Sequence, residues 1–145
     1  MKHMLMILKS ARLARIAPLA LALAFVLPVT GHAQEAPHGN QGFKTLKSQV
    51  VDLAPEIAGM EGRQLRLRLL TIEPGGHIGI HSHKDRPAVV YFLQGTDTVT
   101  FGDGTVKTFK AGDTGSAIHT TTHWHRNDGK EPVVFVAVDI LHKKK

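Results

Sequence analysis

From Leu65 onward, closely spaced turn signals cut the chain into short runs of β-branched and aromatic residues, a rhythm that leaves little room for helices. Leu65 to Ile72 (LRLRLLTI) alternates apolar with basic residues at period two, the spacing that puts alternate side chains on opposite faces of a strand. Ala88 to Gln94, Thr98 to Phe101, Val106 to Phe109 and Val133 to Leu141 are rich in Val, Thr, Phe and Tyr, whose side chains fit a pleated surface. Gly102-Asp103-Gly104 is placed to close a hairpin. Glu73-Pro74-Gly75-Gly76 and Asn127-Asp128-Gly129 break two other runs, and Lys110-Ala111-Gly112-Asp113 precedes another. Apart from one turn expected near Pro55 to Gly59, no stretch carries an apolar stripe at helical spacing. These signals predict an all-β domain, an antiparallel sandwich or barrel.

The first 33 residues read differently. Lys2, Lys9, Arg12 and Arg15 form a positive region without an acid, Leu19 to Val29 is an apolar run of secretory length, and Gly31-His32-Ala33 ends in small residues before Gln34. Residues 1–33 are therefore expected to be a signal peptide cut between Ala33 and Gln34, with export to the periplasm or beyond. A permanent anchor is the alternative, but Pro18 and Pro28 interrupt the apolar segment, which falls short of the ~20 residues a spanning helix needs. Without the leader, 14 of the 18 basic residues face 12 acidic ones, so no nucleic-acid partner is expected, nor any membrane partner once the leader is cut. The 112 remaining residues suffice for one compact core. The chain has no cysteine, which excludes disulfides and thiolate ligands. Residues 34–61 are read as a lead-in, polar and Gly-, Pro- and Asn-rich as far as Gly42, followed by a first strand region; residues 62–142 as the main domain; and residues 143–145 as a solvated basic tail.

Within that domain the histidines are arranged rather than scattered. On an extended strand His77, Gly79, His81 and His83 share one face and Ile78 and Ile80 the other. Thr122-His123-Trp124-His125 repeats the pattern on a second strand. Imidazoles converging from two strands suit a divalent transition metal. By the same parity Ala88, Val90 and Phe92 face inward with the histidines and Tyr91 outward, giving an apolar cavity with a polar metal end. His77 and His125 are expected to line the site rather than ligate, and Trp124 to pack on the face opposite His123. Asn127 is expected to hold a turn, His119 to sit in a loop, and His38 and His142 to lie uninvolved at flexible ends.

Gly75, His81, His83 and Gly95, followed by Gly112, His123 and Asn127, fall where the cupin family has the glycines, histidines and asparagine of its two motifs, G-x5-H-x-H-x(3,4)-E-x6-G and G-x5-P-x-G-x2-H-x3-N. The chain resembles that family over about residues 62 to 140. The resemblance implies a double-stranded β-helix barrel, His81, His83 and His123 as ligands of Fe2+, Ni2+, Zn2+ or Mn2+, and a homodimer. Two departures stand out. Ile118 and Thr120 replace the usual Pro and Gly of the second motif, and Ala88 occupies the position of the usual carboxylate ligand. Asp85 is the nearest substitute, but its Lys84-Asp85-Arg86-Pro87 setting is that of a turn residue. A three-histidine site is therefore expected, which leaves the full metal charge and open positions for a ligand.

Arg86, near the expected rim, is placed to meet a carboxylate or simply to be solvated. A homodimer also follows from the apolar residues Leu65, Leu67 and Leu69, or Ile78 and Ile80, which would otherwise leave a sheet face bare. Three functions fit the small-molecule cavity. One is a metal-dependent oxygenase acting on a small enol, diketone or phenol; the second is a module that binds metal or ligand without turnover. The third is a sugar isomerase or lyase using His77 or Tyr91 for proton transfer.

Overall fold

The computed structural model describes residues 35–143. The expected leader and most of the expected basic tail lie outside them. Eight strands and no helix occur among the described residues: β1 (Gln41–Asp52), β2 (Arg63–Ser82), β3 (Ala88–Gln94), β4 (Thr96–Phe101), β5 (Val106–Lys110), β6 (Thr114–Ala117), β7 (Thr122–Arg126) and β8 (Val133–His142). They hydrogen-bond in the order β5-β4-β7-β2-β8-β3-β6, with β1 added along β2 and every pairing antiparallel. The result is a nearly closed β-barrel, the double-stranded β-helix.

Strand β2 organises the barrel. Its first half, Arg63 to Ile72, lies between β1 and β8, while its second half, His77 to Ser82, pairs with β7. The Glu73-Pro74-Gly75-Gly76 segment, expected to end a strand, instead turns a corner within this one 20-residue strand. Gly75 takes a φ of 74° there, a conformation that glycine adopts without steric cost. Asn127, fully buried, secures the corner. Its Nδ2 donates to the carbonyls of Ile72 and Glu131, and its Oδ1 accepts from the Gly129 amide.

Alternation decides what faces inward. On β2 and β8, Leu70, Ile72, Val133, Phe135 and Ala137 join Phe92 of β3 in the core, where the Phe92 ring stacks on Phe109 and meets Phe135. Leu65 and Leu67 are on the outside, beside Val138 in register with Leu67 and Val89 in register with Val138; Val89 and Tyr91 are exposed as well.

The histidine half of β2 departs from simple alternation. Ile78 is level with His125 and His81 with His123, so three steps along β2 match two along β7. This bulge moves Ile78 onto the same face as His81. The expectation that Ile78 faces away from the histidines is therefore corrected: it lines the interior cavity, which Ile80 also borders. His77, level with Arg126, is carried to the other face and is not part of the cavity wall.

The lead-in is also more organised than expected. The Ile80 amide donates to the Pro37 carbonyl at 2.7 Å, and the Gly79 amide to Asn40 Oδ1 at 2.9 Å. The two chains approach so closely that a Cβ on Gly79 would lie 2.6 Å from the Gly39 carbonyl oxygen. Segment 37–40 is thus strapped against the barrel, and His38, expected to be uninvolved, borders the cavity.

Candidate metal centre

The bulged β2 and the short β7 bring His81, His83 and His123 together. His123 Nε2 lies 3.1 Å from both His81 Nε2 and His83 Nε2. On the other side of the His81 ring, in β2, and of the His83 ring, just past its end, a backbone carbonyl fixes the tautomer: His81 Nδ1 donates to Gly79 O at 2.9 Å and His83 Nδ1 to Arg86 O at 2.8 Å. With Nδ1 protonated, both Nε2 atoms present lone pairs to the centre. His123 can offer a proton to only one of them, and its own Nδ1 is buried without a partner. A cation among the three nitrogens satisfies all of them at once, so the donor set fits a divalent metal ion.

The electrostatics agree. Burial pushes the His81 imidazole down to about 4 and the His123 imidazole to about 2, and it lowers His83 as well. All three are neutral near pH 7, the form in which an imidazole can bind a metal. No carboxylate joins them. Asp85 is exposed in its turn, with its backbone carbonyl accepting from Arg63, and Ala88 is half-buried in the cavity wall.

His125 completes the histidine cluster without sharing the central point. Its ring stacks parallel to His81 at 5.8 Å and lies edgewise to His123 at 4.6 Å. His125 Nδ1 is 2.7 Å from Oδ2 of Asp97, a fully buried carboxylate. The pair fixes the ring and leaves Nε2 free of the carboxylate. Val90 and Phe92 form part of the apolar wall, Tyr91 is outside, and Trp124 is buried and level with Thr100. His119 is exposed in a loop, and His142 ends β8.

A cavity of about 310 Å3 lies beside the histidines, and none of its lining residues is acidic. At its β2–β8–β3 side three arginines surround one carboxylate. Arg66 grips Asp139 with two hydrogen bonds of 3.0 and 2.7 Å, while Arg68 and Arg86 each reach Oδ2 through a single one at 3.1 and 3.3 Å. Arg86 thus pairs with a carboxylate of the protein itself. Burial alone would raise the Asp139 pKa, but the Arg66 hydrogen bonds and the charges of Arg68, Arg66 and Arg86 hold it below the usual carboxylate range.

Asp97 and Asp139 were not singled out in the sequence, although a signal existed. Asp139 has the parity of Val133, Phe135 and Ala137, Asp97 that of Val99, and Arg66 and Arg68 that of Leu70 and Ile72. Charges on the apolar face of a strand announce a buried pair.

The family model described as a cupin domain matches residues 68–139. This chain is a cupin. Oxalate decarboxylase OxdC of Bacillus subtilis is 35% identical over 74 residues, 48% of this chain but only 19% of that protein. The polyketide cyclase RemF of Streptomyces resistomycificus has the same fold, with a TM-score of 0.55 at 16% identity over 75% of this cupin and 72% of the cyclase. BH2720 of Bacillus halodurans does too, with a TM-score of 0.51 at 20% identity over 56% of this chain and 65% of that one.

Proposed function

We propose that this cupin is an exported, metal-dependent oxygenase acting on a small enol, diketone or phenol. The observation that carries the reading is the convergence of three neutral imidazoles, with no carboxylate among them, on the wall of a largely apolar cavity. His81, His83 and His123 would hold the ion. When bound, it supplies Lewis-acid polarisation of an oxygen donor and, for iron, nickel or manganese, redox access to dioxygen. Manganese belongs among the candidates because the Bacillus subtilis oxalate decarboxylase has Mn(II) centres.

The chain's own residues supply position and an apolar setting. Phe92, Val90 and Ile78 give the cavity an apolar wall, and Nε2 of His125, its ring fixed by Asp97, is placed to hydrogen-bond a substrate hydroxyl. Incorporation of both atoms of dioxygen into the substrate balances electrons without an added reductant. The test is metal analysis of protein purified from its native compartment, then oxygen uptake with enols, β-diketones and phenols. Uptake that depends on both metal and His123 supports the reading. Metal binding without uptake on any of these classes overturns it and leaves a binding module.

Export rests on the residue pattern of the leader, and mass spectrometry of the mature protein tests it. A chain beginning at Gln34 supports export, whereas a retained Met1 in a cytoplasmic protein overturns it.

A further inference from the structure

We infer that the ligand of this cavity is a small organic carboxylate, received by Arg68 and Arg86 in the space that the small side chain of Ala88 leaves open. The inference rests on the cavity being the substrate site. It begins with charge. Three guanidiniums share one carboxylate, and Arg66, which alone grips Asp139 with two hydrogen bonds, is not part of the cavity wall. The two that are, Arg68 and Arg86, keep one contact each with Asp139 and are left as surplus cations facing a cavity without an acid.

Their hydrogen bonding is also incomplete. A guanidinium carries five N–H donors. Among the described residues the Arg68 side chain uses one, and its Nε is buried with no partner. Partly buried cations with donors to spare are matched by a planar anion that can accept two parallel N–H bonds.

Ala88 locates the anion. In the sheet it is level with Asp139 on one side and Ala117 on the other, and Asp139 is in turn level with Arg66. Where the cupin motif has a glutamate, this row has a methyl group. The carboxylate that the protein lacks is the one the ligand brings, and it offsets both the surplus arginine charge and the charge on a metal held by three neutral histidines. Arg86 connects the two regions, since its carbonyl orients His83, its guanidinium bonds Asp139 and the residue lines the cavity.

Calorimetric titration of the metal-free protein with benzoate, its neutral isostere benzamide, propionate and inorganic phosphate tests this. Benzoate should bind roughly tenfold or more tighter than benzamide, the range expected for one charge-assisted pair. Arg68→Met should remove that advantage while leaving benzamide unchanged. Arg66 and Arg86 still pair Asp139 in this variant, and circular dichroism checks its fold. Ala88→Glu, which adds a carboxylate where the ligand's is expected, should lower benzoate affinity by a similar factor without touching the arginines. Equal binding of benzoate and benzamide overturns the inference, as does phosphate competing as well as benzoate, or neither carboxylate binding at millimolar concentration. His123→Ala should still bind benzoate, so loss of the anion site and loss of the metal reading are separately visible.

Discussion

At the scale of single residues, His123 is the centre of the arrangement, because it alone lies within 3.1 Å of both other imidazole Nε2 atoms. His123→Ala should lower metal affinity by more than the roughly hundredfold that loss of an outer-shell partner can cost, measured by competition with a chromophoric chelator. Asp85→Ala should leave metal affinity unchanged, and an equal loss in both variants would sink the three-histidine reading. The same histidines set the acid stability of the metal-free protein. In the unfolded chain an imidazole takes up its proton near pH 6.5, whereas folded His81 does so only at about 4 and His123 at about 2. Between those values the unfolded state binds more protons. Stability is therefore fully present above about pH 6.5 and is lost as the pH falls through the window below it. Thermal melts should be flat from pH 8 to about 6.5 and then decline, and added metal should move the decline to lower pH. A melting temperature that rises on acidification from pH 6.5 to 5 would count against buried, neutral histidines.

At the scale of elements, the bulge in β2 and the strap of residues 37–40 act together. Gly79 lies between Ile78 and His81 in the bulged segment, and its missing side chain is what lets Gly39 come close. Gly79→Ala would place a methyl group 2.6 Å from a backbone oxygen, so the strap must shift. Limited proteolysis should then cut near His38 faster than in the parent, and an unchanged digestion pattern would show that the strap is not held there. The bulge also explains which parts of the site could be read in advance. The inward set of Ala88, Val90 and Phe92, the turn role of Asn127 and the His81, His83 and His123 grouping follow from local alternation and motif spacing, whereas the end expected for a strand at Glu73 to Gly76 does not occur. The placement of His77 does not, because the extra residue is defined only by how β2 pairs with β7, more than 40 positions away. Alternation counted along one strand has no access to that register shift. The arginine cluster escaped for a related reason: Arg66, Arg68, Arg86 and Asp139 come from three separated stretches that the sheet alone brings together.

At the scale of the whole molecule, the outer face of the β2–β8–β3 sheet is the surface to watch, since Leu65, Leu67, Val89 and Tyr91 are all exposed on it. We expect two copies of the chain to cover this face, as contiguous apolar surface on a small barrel favours. Light scattering should give twice the mass that mass spectrometry finds for the purified chain, and Leu67→Glu combined with Tyr91→Glu should give a folded monomer. A parent protein that is monomeric at every concentration would rule the association out. The long corner strand has a consequence of another kind, for the order in which the molecule can be assembled. β2 emerges early in synthesis, yet the neighbour that completes its first half is β8, the last strand, which also brings Asp139 to the three arginines and Val133 and Phe135 to the core. Until residues 133–142 are made, the first half of β2 and the whole of β3 lack the strand that joins them, and Arg66, Arg68 and Arg86 lack their counter-charge. The barrel therefore closes late, because joining its β2 and β3 parts waits for residues 133–142 and for the slow, long-range pairing typical of its topology.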